Sequence, residues 1–301
     1  MAMARASEAK GSHFVQSGSS VLTASDIIHG IGRARTEDSV SRGRCVRAWI
    51  GAGLLCGLLC WLVVAHHFAL SQQVDERIST AVNHWASRNE VINHAVYIAG
   101  QADFPTGALM VALVYCCWFS DATAESRTRL LLGFGAVLVS GVASRLLQVS
   151  LPTRLRPMHA LDSGFNPLPG IDPELANHWG SFPSDHAALY FALVAVIWQR
   201  SRWLGLLAMC SALFGVLPRI YLGLHYLSDV VAGAMLGVGL VVMFGRFGPR
   251  MLARRALGWE RRWPGLAYGA AFLVSFEVAT LFEDIRQVGR GVPAVLRQFG
   301  L

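Results

Sequence analysis

The sequence predicts an all-α protein, a polytopic membrane helix bundle. Three observations predict it. The chain is 53% hydrophobic and only 15% charged, whereas soluble domains carry about 25% charged residues. Its mean hydropathy is +0.43, and apolar runs recur near the length that crosses a bilayer, about 20 residues. The formal net charge is +7, but the basic residues sit at the ends of the apolar runs. Anionic headgroups and membrane orientation explain that placement better than nucleic acid does.

The elements follow in order. Residues 1–44, rich in Ser, Gly, Ala and Arg without sustained periodicity, are expected to form a disordered cytoplasmic tail. No cleavable signal pattern precedes the first apolar run. Residues 45–247 hold six apolar stretches: Ala48 to Leu70, Phe104 to Phe119, Leu130 to Val149, Asp185 to Gln199, Trp203 to Leu217 and His225 to Gly245. Several fall short of twenty, as spans do when a polar end is buried in protein at a site. Between the first two, Ile78, Val82, Trp85, Val91, Ile92 and Val96 recur at helical spacing and predict a helix lying on the membrane surface. Residues 248–301 contribute the rest of a basic loop, "GRFGPRMLARRALGWERR", a seventh span from Gly265 to Phe282, and a tail. The six cysteines have no metal or disulfide spacing and read as buried small hydrophobes.

Positive charge orients the chain. Arginines before the first span, Arg200 and Arg202 in a tight turn, and six arginines in the basic loop mark the cytoplasmic side. The polar ends of the fourth, fifth and sixth spans then face outward. Arg286, Arg290 and Arg297 in the tail run against this count.

Three polar segments share that outer side: "LPTRLRPMHA" with Arg154 and Arg156, "PSDH" at Pro183 to His186, and "LPRIYLGLHYLSDVV" with Arg219, His225 and Asp229. Taken singly, each has a plain reading. Arg156 is a snorkelling anchor, Ser184 a helix N-cap, and His225 with Asp229 an intramembrane hydrogen bond between residues four apart on one helix face. Together they offer more. A helix N-terminus binds anions, arginines grip phosphate bidentately, and an aspartate four residues from a histidine can fix its tautomer. Too few carboxylates gather for a two-metal phosphatase. The chemistry implied is metal-free phosphoryl transfer, one histidine attacking phosphorus and the other protonating the leaving oxygen.

At these residues the chain resembles the type 2 phosphatidic acid phosphatase (PAP2) superfamily of membrane lipid phosphatases. The family pattern is a lysine followed after six residues by Arg-Pro, then Pro-Ser-Gly-His, then Ser-Arg, five residues, His, three residues, Asp. It corresponds here to the segment ending in Arg156-Pro157, to Pro183-Ser184-Asp185-His186, and to Pro218-Arg219, His225 and Asp229, over roughly residues 75–245. The resemblance implies six core transmembrane helices of the PAP2/haloperoxidase type, with the seventh span as an extra. It implies His225 as nucleophile, Asp229 orienting it, and His186 as general acid. Arg156 and Arg219 would hold the phosphate, with Ser184 and the backbone near Asp185 helping, and no metal or other cofactor is called for. Three positions depart from the pattern. Val149 stands in the lysine's place, and Lys10 is the chain's sole lysine, so Arg154 is the candidate substitute. Asp185 replaces glycine, and Pro218 replaces serine.

The expected function is hydrolysis of a membrane lipid phosphate at the outer face of the cell membrane, with the bilayer and the lipid as partners and no nucleic acid. Undecaprenyl pyrophosphate, phosphatidic acid and phosphatidylglycerol phosphate are the candidates. A lipid phosphotransferase and a decayed lipid-binding or transport protein are the alternatives. The polar-rich 158–180 loop is a candidate lid or gate, and His159 and His178 read as surface histidines.

Overall fold

The structure, a computed structural model, describes residues 69–86, 89–101, 103–121, 123–151, 154–160, 165–166, 168 and 180–283. The expected N-terminal tail, all but the last two residues of the first span, most of the 158–180 loop with His178, and nearly all of the C-terminal tail lie outside the described residues. Among those described there is no strand. The helices are α1 (Ala69–Ala86), α2 (Glu90–Gly100), α3 (Asp103–Ser120), α4 (Ala124–Ser150), α5 (Asp185–Trp198), α6 (Arg202–Tyr221), α7 (Leu227–Phe247), α8 (Arg250–Arg262) and α9 (Pro264–Ala279), with a 3-10 turn at Pro157–His159.

Local chemistry sets several of these boundaries. Side-chain oxygens of Asn89, Thr123, Ser184 and Ser201 each accept from the backbone N–H three residues on, capping α2, α4, α5 and α6. Pro264 occupies the first position of α9, where its missing N–H costs nothing. Helices α3, α4, α6 and α7 are long and apolar enough to cross a membrane; α5 and α9 are shorter apolar helices.

Helix α5 is the centre of the bundle. It packs on α4, α6 and α7, and also on α3. Nearly every residue from His186 to Ile197 is buried. Its 14 residues span about 21 Å, short of the hydrocarbon core, because it begins at the polar segment rather than at the membrane boundary. The closest crossing is with α7. A Cβ on Gly233 would sit 2.2 Å from the Ser184 carbonyl oxygen, and one on Gly237 would sit 2.1 Å from that of Ala188. Small residues four apart let two helices approach to backbone contact where lipid supplies little driving force.

The structure corrects four readings of the sequence. The single surface helix is two helices, α1 and α2, packed against α6 and each other. On α1 the buried stripe is polar, Asp75, Ser79, Asn83 and then Ala86, while Val74 and Trp85 are exposed. Each buried polar group of this kind needs a partner, and Asn83 finds one, trading two hydrogen bonds with the backbone of Asn166. The basic loop is largely helical: α8 buries Ala253 and Leu257 and turns its arginines outward. Helix α6 runs past Leu217 to Tyr221, so Arg219 lies in its last turn, not in a connecting segment. Cys117 is buried, but Cys116 and Cys210 are exposed on helices α3 and α6; the other three cysteines lie outside the described residues.

Candidate active site

One end of the bundle collects the start of α5, the end of α6, the start of α7 and the segment after α4. Backbone hydrogen bonds interlace the three polar segments there. Ser184 N–H donates to the Asp229 carbonyl at 3.0 Å, Ser181 N–H to that of Arg154 at 3.2 Å, and Met158 N–H to that of Gly223 at 3.0 Å. Gly223 has φ +71°, the left-handed region open to glycine, and that turn swings the chain from α6 into His225. Gln148, near the end of α4, donates its side-chain amide to the Pro183 carbonyl at 2.7 Å.

The side chains converge accordingly. Arg156, Ser184, His186, Arg219, His225 and Asp229 are each at most 8% exposed. Ligating atoms of Asp185, His186 and His225 all lie within 4.8 Å of one another. Arg156 donates to the Leu224 carbonyl at 2.5 Å, next to His225, and is within electrostatic reach of Asp185, Asp229 and Arg219.

The orientation of His225 differs from expectation. It precedes α7 instead of riding on it, so no shared helix face aligns it with Asp229. Its Nδ1 lies 2.9 Å from the Ser181 carbonyl oxygen. A carbonyl only accepts, so Nδ1 carries the proton and the neutral ring leaves its lone pair on Nε2. Asp229 Oδ2 stands 3.7 Å from Nδ1, beyond hydrogen-bond range, and accepts from Tyr226 N–H at 2.8 Å. Asp229 therefore caps α7 and places a negative charge behind the ring. Burial, the largest effect, pushes the His225 pKa below its ordinary value, against the opposing pull of Asp229.

The departures from the motif have definite surroundings. Asp185 Oδ1 lies 2.8 Å from His186 Nδ1, so the residue in the glycine position touches the ring it precedes. Ser184 accepts from Ala187 N–H and caps α5. Val149 is 62% exposed, outside the buried cradle. Arg154, the candidate substitute for the lysine, donates to Asp75 Oδ2 at 2.8 Å and stacks 3.6 Å over the Tyr226 ring. Ser228 shares the same aspartate, at 2.5 Å. His159 is half-buried in the 3-10 turn.

Sequence reasoning passed over Asp75, Asp103, Gln148 and Ser181. Asp103 opens α3 and pairs with Arg219 through Oδ1, while its Oδ2 lies 3.5 Å from His186 Nε2. An acid at the site-side end of an apolar run was its available sign. Ser181 acts through a backbone carbonyl, which no residue type advertises.

Residues 130–251 match the sequence model of the PAP2 superfamily, and that range holds both histidines, Arg156, Arg219 and Asp229. This segment belongs to the PAP2 superfamily. The chain is similar to Bacitracin transport permease protein BcrC of Bacillus licheniformis, 29% identical over 157 residues, 52% of this chain and 72% of BcrC. A Lipid A 4'-phosphatase of Bacteroides thetaiotaomicron is 45% identical over 58 residues, 19% of this chain and 26% of that protein. An Undecaprenyl-diphosphatase of Sulfolobus acidocaldarius is 28% identical over 109 residues, 36% of this chain and 48% of that protein. The match thus spans most of the first relative and less than half of the other two. The PAP2 segment and the phosphatases it resembles mark an enzyme, a phosphoric ester hydrolase, and four helices among the described residues are long and apolar enough to cross a membrane, as in a multi-pass membrane protein.

Proposed function

We propose that the protein hydrolyses a phosphomonoester or pyrophosphate of a membrane lipid through a phosphohistidine, without a metal. The observation that carries this reading is the convergence of His186 and His225 beside two buried arginines. His225 Nε2 attacks phosphorus and forms the N–P bond as the P–O bond to the lipid breaks. His186 gives its proton to the departing oxygen. Water, deprotonated by His186, then displaces His225 and releases phosphate. Arg156, Arg219 and the N–H groups at the start of α5 hold the phosphoryl oxygens as charge builds. Ser184 and Asp185 place that helix start, and Arg154 takes the motif lysine's part of the wall while tethered to Asp75. Residues 45–247 are read as the catalytic unit, with the site on the extracytoplasmic face.

The lipid is drawn from undecaprenyl pyrophosphate, phosphatidic acid and phosphatidylglycerol phosphate. One relative named Undecaprenyl-diphosphatase and another named Lipid A 4'-phosphatase support a lipid phosphate and favour the first candidate. A second reading, a lipid-binding protein that has lost turnover, rests on the two carboxylates at His186.

The test is phosphate release from each lipid by purified protein in EDTA, with wild type beside His225→Ala and His186→Ala. Release by wild type that falls at least about 10³-fold in His225→Ala supports the mechanism. Equal release by both proteins, or loss of release on adding EDTA, overturns it. Asp185, His186 and His225 are close enough to hold a metal ion, so the EDTA arm decides between two chemistries.

A further inference from the structure

Asp103 belongs to none of the three motif segments, yet its carboxylate touches a residue from two of them. Oδ1 accepts from Arg219 Nη2, which also donates to the Gly100 carbonyl at 3.3 Å. Oδ2 lies 3.5 Å from His186 Nε2, at ion-pair distance but without hydrogen-bond alignment, and that buried nitrogen has no hydrogen-bond partner. The main-chain carbonyl of Asp103 accepts from the Tyr190 hydroxyl at 3.4 Å, which fixes the start of α3 against α5. The Asp103 side chain is 32% exposed while those of Arg219 and His186 are 9% exposed. The acid therefore stands nearer the surface, with the arginine and the histidine behind it.

A carboxylate bridging a guanidinium and an imidazole presents negative oxygens where a phosphoryl group would present its own. We propose that Asp103 is a stand-in anion: in the resting enzyme it occupies Arg219 and His186, and the incoming phosphoryl group has to take both from it. This rests on the phosphatase reading above, in which those two residues serve the phosphate. The competing ligand is any dianionic phosphoryl group, whether inorganic phosphate or a lipid headgroup. Asp103 then has two opposed effects. It keeps Arg219 and His186 placed while the site is empty, which supports turnover. It also repels the phosphate that displaces it, which weakens binding. A carboxylate with a purely structural role has only the first effect.

The opposed effects separate in one experiment. Purified full-length protein in detergent is titrated calorimetrically with inorganic phosphate and with orthovanadate. Wild type is compared with Asp103→Asn, Asp103→Ala and Asp103→Glu. Removing the charge tightens binding of both anions by about tenfold or more, the size expected for a like charge a few ångströms away in a partly shielded site. Asp103→Glu keeps the charge and stays near wild type. In lipid-phosphate assays Asp103→Asn lowers kcat and KM together, and a short-chain phosphomonoester shows the same split if the effect lies at the phosphoryl group and not at the lipid chain. Anion binding that is unchanged, weaker or undetectable in both Asp103→Asn and Asp103→Ala overturns the proposal, and agreement between the two guards against a folding defect in either. Equilibrium binding reads out without turnover. His225→Ala retaining wild-type hydrolysis would sink the phosphatase reading, while the binding comparison would still decide the role of Asp103.

Discussion

His225 shows how much of a site rests on what a single ring nitrogen touches. The Ser181 carbonyl accepts a hydrogen bond from Nδ1–H, which keeps the proton on Nδ1 and leaves Nε2 as the free base in the neutral ring. Burial lowers the pKa from its ordinary 6.5, and a lowered pKa extends the neutral form to more acid pH. In the proposed mechanism the nucleophile must be neutral, so activity is lost only as pH falls through that lowered value. The acid limb of kcat/KM against pH is therefore expected below 6.5. A limb above it would contradict the assignment of His225. Histidines, arginines and aspartate were legible as residue types at fixed spacing. Asp103 and Ser181 were not, because one belongs to a distant helix and the other acts through its backbone.

At the scale of elements, the crossing of α5 and α7 sets the distance between the two histidine-bearing segments. Gly233 lies against the Ser184 carbonyl, in the N-cap of the site helix, so an added methyl has to push the helices apart where Ser184 N–H meets the Asp229 carbonyl. Gly233→Ala is expected to cost about 1–3 kcal/mol, read as a lower midpoint of thermal unfolding in detergent, with activity falling in step. Gly245, whose added Cβ would meet nothing within 4 Å, is the control: Gly245→Ala should leave both unchanged. Helix α1 docks differently, through Asp75 holding Arg154 and Ser228. Asp75→Ala leaves the Arg154 guanidinium short of its carboxylate partner, and the expected loss of stability is about 3 kcal/mol, measured in the same way. The apolar periodicity of residues 78–96 announced helices but ran two of them together: Val82, Ile92 and Val96 pack beside the buried Ala86 and Tyr221, while Trp85 and Val91 look outward.

Among the described residues, the motif side chains and the basic helix α8 lie at opposite ends of the bundle. The motif residues gather at one end with the starts of α3, α5 and α7. Arg200, Arg202 and the arginines of α8 lie at the other, where an ion pair joins Arg127 to Glu260 at 3.6 Å and hydrogen bonds run from Trp118 through Tyr268 to Glu260. On the positive-inside rule the site is proposed to lie outside the cytoplasm. In a cysteine-free background, Val91→Cys on α2 is expected to react with an impermeant maleimide in intact cells, whereas Trp203→Cys at the start of α6 reacts only after permeabilisation. Both positions are well exposed, at 79% and 82%. The opposite labelling pattern would invert the orientation and move the substrate to the inner leaflet.

By itself the sequence determined that this chain is a helical membrane protein, that its spans begin and end at particular polar residues, and that two histidines, two arginines and an aspartate stand in a phosphatase pattern. Those properties are local: hydropathy over a run, a cap at a helix start, spacing within a motif. Tertiary structure alone decided which carbonyl orients His225, that Arg154 is tied to Asp75, and that Asp103 reaches Arg219 and His186 from another helix. Each of those contacts joins residues far apart in the chain. Their distances depend on how closely α3, α5, α6 and α7 pack, which residue type and spacing do not encode position by position.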